Sequence, residues 1–341
     1  MSSALTVLSL VAFTVVGAVL AWKGGDYLVR ASDRLGGHYG IPAVVQGAVI
    51  AAVGSSFPEL SSTVIATLRY GAFELGVGAV IGSAVYNILV IPAVSALAGE
   101  GRLASNRDLV YKEAQFYLLA LAVLLLAFTL SVLYNPIEAT PASLDGTMTW
   151  LLALVPLSLY GLYVFIQYHD SVDHRRTARR TRVAVGKQWA VLAGSLVVIL
   201  VGAEFLVRAA VGFGDLFGTS TFLWGLTVVA AGTSIPDTFV SIAAARVGNS
   251  SVSLANVFGS NVFALLVALP AGVLAAGTVT VNLATVVPMM TFLTFASVAF
   301  FAVLRTEMML TTRESYLLLG LYGVFIAWLA AESLGMVGFL P

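Results

Sequence analysis

The sequence predicts an all-α polytopic membrane protein, with ten transmembrane helices arranged as two inverted five-helix repeats. Three observations carry this. Of 341 residues, 59% are hydrophobic and only 10% are charged, against about 25% charged in a soluble domain. Apolar runs long enough to span a bilayer recur along the whole chain. Three motifs also recur in the same order in the two halves, at nearly one constant offset.

A membrane helix needs about 20 mostly apolar residues. The stretches that qualify are 4–22, 42–68, 73–98, 109–133, 148–168, 189–212, 219–245, 252–276, 283–304 and 315–336. The first lacks the basic start and the small-residue cleavage pattern of a signal peptide, so it reads as a span. The second, third, seventh and eighth are rich in Gly, Ser and Pro. The others are plain Leu/Val/Ala helices.

Charge places the connectors. Lys23, Arg30 and Arg34 follow the first span, and Arg102, Arg107 and Lys112 follow the third. Arg175, Arg176, Arg179, Arg180, Arg182 and Lys187 follow the fifth, Arg246 the seventh, and Arg305 and Arg313 the ninth. That puts 15 of 17 basic residues on one side and leaves Arg69 and Arg208 on the other. The basic side is expected to be cytoplasmic, with both termini extracellular and the chain in a cell membrane. The Arg-rich run reads as a connector obeying this bias, with anionic lipid as an alternative contact. Net charge is zero, so no nucleic-acid partner is expected. No obligate protein partner is evident; the lipid bilayer is the expected surrounding. There is no cysteine, hence no disulfide framework and no thiolate metal site.

The repeat is read from the motifs. Gly54-Ser55-Ser56-Phe57-Pro58-Glu59 matches Gly232-Thr233-Ser234-Ile235-Pro236-Asp237. Asp26-Tyr27-Leu28-Val29-Arg30-Ala31 matches Glu204-Phe205-Leu206-Val207-Arg208-Ala209. Gly82-Ser83-Ala84-Val85-Tyr86-Asn87 matches Gly259-Ser260-Asn261-Val262-Phe263-Ala264. Such matches in one order indicate a duplicated unit. The expected division is a first repeat over 1–168 with its motif segment at 42–98, a basic connector over 169–188, and a second repeat over 189–341 with its motif segment at 219–276. Five spans per unit invert the second copy, as in many secondary transporters, whose sites lie near the midplane.

Glu59 and Asp237 alone among 17 acidic residues are expected deep inside spans. A carboxylate there costs at least about 2.5 kcal/mol on insertion scales. Ser55 and Ser56 lie at i−4 and i−3 from Glu59, with Ser62 and Thr63 at i+3 and i+4; Thr233, Ser234 and Ser241 surround Asp237 in the same way. Pro58 and Pro236 each free a carbonyl. Ser83, Asn87, Ser260 and Asn261 add oxygens from the third and eighth spans. A set of oxygens without sulfur or imidazole suits Ca2+ or Na+. His38, His169 and His174 read as solvated loop residues. Two carboxylates carry −2, which one Ca2+ or two Na+ would neutralise, with room for a third Na+ among neutral oxygens.

These motifs resemble those of the calcium/cation antiporter superfamily, whose sodium/calcium exchangers carry a doubled Gly-(Ser/Thr)-Ser-x-Pro-(Glu/Asp) signature followed by Gly-Ser-x-x-x-(Asn/Asp). The resemblance implies ten helices, an inverted repeat, and exchange of one Ca2+ for several Na+ by alternating access, without a cofactor and without enzymatic activity. It implies that Glu59 and Asp237 are ligands shared by both ions, and that Ser55 and Thr233 join the calcium shell. It places Ser56, Ser234, Ala52 and Ala230 at sodium sites, with Ser83, Ser260 and Asn87 completing the set. The motifs are closest to the potassium-dependent branch, but Ala264 stands where that branch has an aspartate, so K+ independence is expected. The compact build resembles prokaryotic members. A Ca2+/H+ exchanger is the nearest alternative, and a cation channel a more distant one. An intramembrane protease fits poorly, since neither acid closes a Gly-x-Gly-Asp motif.

Overall fold

A computed structural model of the chain describes residues 3–39, 52–99, 101–107, 109–137, 144–173 and 183–338. Nine helices among the described residues are long and apolar enough to cross a membrane. They coincide with every predicted span except the second, which is described only from Ala52. Residues 42–51 of that span, and 174–182 of the Arg-rich connector, lie outside the described residues.

Helix α1 (Ser3–Tyr39) runs for 37 residues, far beyond the predicted 4–22. Lys23, Asp26, Arg30 and Arg34, expected in a connector, ride on it. Within it Arg30 Nε donates to Asp26 Oδ1 at 2.9 Å, an i,i+4 contact that supports the helix locally. His38 is on its last turn, not in a loop. Next come α2 (Ala52–Ser55) and α3 (Phe57–Tyr70), interrupted at Ser56, then α4 (Phe73–Leu89) and α5 (Ile91–Ala98). A π-helical turn at Leu109–Glu113 opens α6 (Ala114–Tyr134), and α7 (Trp150–Asp173) carries His169, again on a helix.

The second half begins with α8 (Val185–Phe217), 33 residues against a predicted 189–212. The seventh span is α9 (Thr221–Trp224), a π-turn at Gly225–Val229 and α10 (Ala230–Arg246). The eighth is α11 (Ser250–Phe263), a π-turn at Ala264–Ala268 and α12 (Leu269–Ala276). Pro92 and Pro270, at equivalent positions of the two repeats, both stand in the first turn of the helix after the break, where a missing N–H costs nothing. Helices α13 (Leu283–Arg305) and α14 (Thr312–Ser333) complete the bundle, the last opened by a capping box between Thr311 and Glu314.

Contacts between α1 and α8 display the inversion directly. Gly17 meets Gly202 and Leu206, Gly24 meets Ser195 and Ile199, and Gly212 meets Leu10, so the two run antiparallel. A Cβ on Gly202 would lie 2.8 Å from Gly17 O. Small residues let membrane helices approach this closely. At the centre, α4 and the pair α11–α12 are largely buried, whereas fewer than a quarter of the residues in the apolar stretches of α1, α7 and α14 are buried. Cβ atoms added at Gly82 and Gly225 would overlap Leu226 O and Leu75 O, which draws α4 against the seventh span.

The all-α expectation needs four short strands added: β1 (Arg102–Ala104), β2 (Asp145–Thr149), β3 (Thr278–Asn282) and β4 (Met309–Thr311). They form two antiparallel pairs, β1 with β4 and β2 with β3. Each pair joins one half of the chain to the other. The β1–β4 pair ties the connectors after spans three and nine, both counted on the basic side.

A candidate cation site between the two halves

The break at Ser56 puts Glu59 in the first turn of α3, with Pro58 beside it where its missing N–H is harmless. Pro236 instead lies inside continuous α10, where it removes one backbone bond. The two motifs are thus repeat-equivalent in sequence but not in backbone.

Ser55, Ser56, Glu59, Ser83, Asn87, Thr233, Ser234, Asp237, Ser260 and Asn261 are all buried, none more than 1% exposed. They form one cluster. Ser83 Oγ donates to Glu59 Oε1 at 3.0 Å, and Ser260 Oγ donates to Asp237 Oδ1 at 3.0 Å, the same bond in each repeat. The halves interlock: Ser83 and Ser234 hydroxyls are 2.8 Å apart, Ser55 and Ser260 hydroxyls 3.2 Å apart, and Ser56 Oγ reaches Ser260 O at 3.5 Å. Ser55 also lies against Asp237, and Thr233 against Glu59. Asn87 Nδ2 donates across to Asp237 Oδ2 at 3.3 Å and to Asn261 Oδ1 at 3.0 Å. Asn261 Nδ2 in turn meets Ala84 O and Tyr117 OH, each at 3.3 Å. Ala230 is buried and its carbonyl accepts from Thr233 Oγ1 at 3.3 Å. Ala52 opens α2.

Some neighbours proposed from spacing point elsewhere. The Thr63 methyl packs under Gly76 and Gly272, away from the cluster. Ser241 bonds Ser253 O at 3.3 Å and receives Asn256 Nδ2 at 3.3 Å. Asn256 was missed in sequence. It donates to Asp237 Oδ1 at 3.3 Å and lies near Asp237 O at 3.5 Å. Its position four residues before Ser260, on the same helical face, was the available signal. Tyr117, from a plain apolar span, offered none.

The two carboxylates differ in environment. Asp237 receives donors on both oxygens, whereas Glu59 Oε2 and Asn87 Oδ1 are buried without a hydrogen-bond partner among the described residues. Buried polar atoms are normally satisfied, and unpaired acceptor oxygens beside a second acid fit a hard cation. His38 and His169 contact Tyr39 and Phe165 instead. The Gly-x-Gly-Asp run at Gly212–Asp215 lies in the last turns of α8, with Asp215 exposed.

Interrupted helices from two inverted halves, meeting at buried acids, define a secondary transporter. The chain belongs to the sodium/calcium exchanger protein family, whose profile matches residues 9–169 and 187–331. Among its relatives, the inner membrane protein YrbG of Escherichia coli is 29% identical over 267 residues, covering 76% of this chain and 77% of YrbG. The sodium/calcium exchanger MaX1 of Methanosarcina acetivorans is 25% identical over 276 residues, covering 73% and 78%. A structure of the sodium-calcium exchanger NCX_Mj, soaked with Na+ and Sr2+, superposes with a TM-score of 0.63 at 25% identity, covering 94% of this chain and 99% of that one. The protein is therefore a multi-pass membrane cation antiporter rather than an enzyme.

Proposed function

We propose that this antiporter exchanges Ca2+ for Na+ by alternating access, without a requirement for K+. The observation that carries it is the pairing of Glu59 with Asp237 among neutral oxygens contributed by both repeats. In this reading the two acids bind either Ca2+ or Na+. Ser55 and Thr233 complete the calcium shell, while Ser56, Ser234 and the Ala52 and Ala230 carbonyls serve sodium. Ser83, Ser260 and Asn87 orient the acids, and Asn261 supports Asn87. Ala264 leaves the site at two negative charges, so no third acid is present to offset K+. The functional units are the repeats 1–168 and 189–341, joined by the connector 169–188, with the basic connectors cytoplasmic and both termini outside.

The test is flux into proteoliposomes with Na+, K+ and pH gradients imposed separately. A Na+ gradient is expected to drive 45Ca2+ uptake at a rate that K+ removal leaves unchanged. Glu59→Gln and Asp237→Asn are each expected to reduce it to background. Uptake driven by a pH gradient without Na+ would make the protein a Ca2+/H+ exchanger. Uptake indifferent to every gradient would exclude antiport.

A further inference from the structure

Arg69 and Arg208 are the two basic residues that depart from the charge distribution of the chain, and the structure accounts for both in one place. Arg69, in the last turn of α3, reaches Glu204 Oε1 of α8 at 2.7 Å, and Tyr70 OH donates to the same oxygen at 2.9 Å. Arg208, one turn after Glu204, lies over the Phe13 ring of α1 at 5.0 Å. The end of α3 is thereby tied to the middle of α8.

Both partners have repeat counterparts. Glu204 corresponds to Asp26. A left-handed glycine follows each of α3 and α10, Gly71 as the cap of the first and Gly248 one residue past the cap of the second, and in the register that aligns them Arg69 corresponds to Arg246. The counterparts do not meet. Asp26 pairs with Arg30 on its own helix at 2.9 Å, and Arg246 is exposed and in no ion pair among the described residues.

The space beside each pair differs in the same sense. Next to Asp26, a cavity of about 320 Å³ between α1 and α10 is lined by Trp22, Asp26 and Val240 and reaches Ser55 of the cation site. Next to Glu204, only a shallow surface groove runs between α3 and α8; it is lined by Ile65, Leu68 and Leu200 and reaches no residue of that site.

We propose that these are two reciprocal latches on the ion pathway. The Glu204–Arg69–Tyr70 contact holds the side opposite the basic connectors closed, and Asp26–Arg246 makes the corresponding contact when the basic side closes. The inference rests on the alternating-access reading above. The strength of the contact suits the task. A part-exposed ion pair with one phenol hydrogen bond shifts an equilibrium by roughly five- to thirtyfold. That holds a gate without locking it, since a carrier must populate both states.

The absence of cysteine allows single reporters without background. Val240→Cys reports on the open cavity, and Ser62→Cys, at the equivalent position of the first repeat, reports on the closed side. Ser62 is 0% exposed. Labelling with a membrane-impermeant maleimide from each face of oriented vesicles is expected to modify Val240→Cys from the basic side and to spare Ser62→Cys. Adding Glu204→Gln or Arg69→Gln is expected to raise Ser62→Cys labelling from the opposite side about fivefold or more, and to lower Val240→Cys labelling. Arg246→Gln is expected to leave Ser62→Cys protected. The exchange Arg69→Glu with Glu204→Arg is expected to restore the original ratio, which a folding defect would not do. A ratio unchanged by both Glu204→Gln and Arg69→Gln, or not restored by the exchange, overturns the proposal. The ratio is read without any ion gradient, so failure of Na+/Ca2+ exchange in the flux test leaves it interpretable.

Discussion

Asn256 is one of the residues that set the two acids apart. Its amide serves Asp237 and Ser241, while the corresponding position in the first half is Ala79, which donates nothing. A hydrogen bond to a charged group contributes about 1.5–3 kcal/mol, and a carboxylate held in one orientation binds with less ordering cost. Asn256→Ala is therefore expected to weaken the apparent affinity for Ca2+ about tenfold, read from the concentration dependence of uptake. An unchanged affinity in a protein of normal melting temperature would remove Asn256 from the site. At this scale the sequence was informative wherever the repeat marked a residue twice: Glu59 with Asp237, and Ser83 with Ser260. It was indirect on Asn256, whose counterpart at the motif offset is Ala79, and silent on Tyr117, which sits in a plain apolar span. Thr63 misled for a different reason. Helical spacing puts it on the face of Glu59, but the close approach of Gly76 and Gly272 claims its side chain for packing.

At the scale of elements, glycine sets how closely the central helices approach. Gly82 touches Leu226 and Ala230, and Gly225 touches Leu75 and Ala79, so α4 and the seventh span meet backbone to backbone. Overpacking of a tight core costs about 1–3 kcal/mol. Gly82→Val is expected to lower the melting temperature in detergent by several degrees, whereas Gly161→Val, at an exposed position with nothing within 4 Å of an added Cβ, should leave it unchanged. Equal effects would show that the approach of the backbones is not what limits stability. Hydropathy located the spans because an apolar run is what the bilayer demands. It placed the ends of α1 and α8 badly because polar residues can prolong a helix beyond the hydrocarbon. At about 1.5 Å per residue, 37 residues reach roughly 55 Å, well past a core of about 30 Å. The strands escaped because runs of three to five residues carry too little periodicity to register.

Across the whole molecule, the two small sheets fix one half to the other while α1 and α8 flank the core. If the sheets stay in place through the transport cycle, a cross-link within one should be tolerated. Thr147 and Thr280 face each other in the β2–β3 register. Oxidation of the pair Thr147→Cys and Thr280→Cys is expected to form a disulfide in the otherwise cysteine-free chain and to leave Ca2+ uptake within about twofold of the reduced protein, a margin set by mutational scatter in rates. Abolished uptake would show that the sheet must open.

Those same sheets impose an order on biogenesis. Strand β1 ends at Ala104, and its partner β4 begins only at Met309, most of the chain later. At a synthesis rate of roughly 5–20 residues per second, β1 waits some 10–40 s for its neighbour. Through much of that interval Glu59, Ser83 and Asn87 are already within the membrane, while Ser234, Asp237 and Asn261 have not left the ribosome. The nascent first half must carry Glu59 in lipid with Ser83 of its own half as donor, until the second half brings the remaining polar groups.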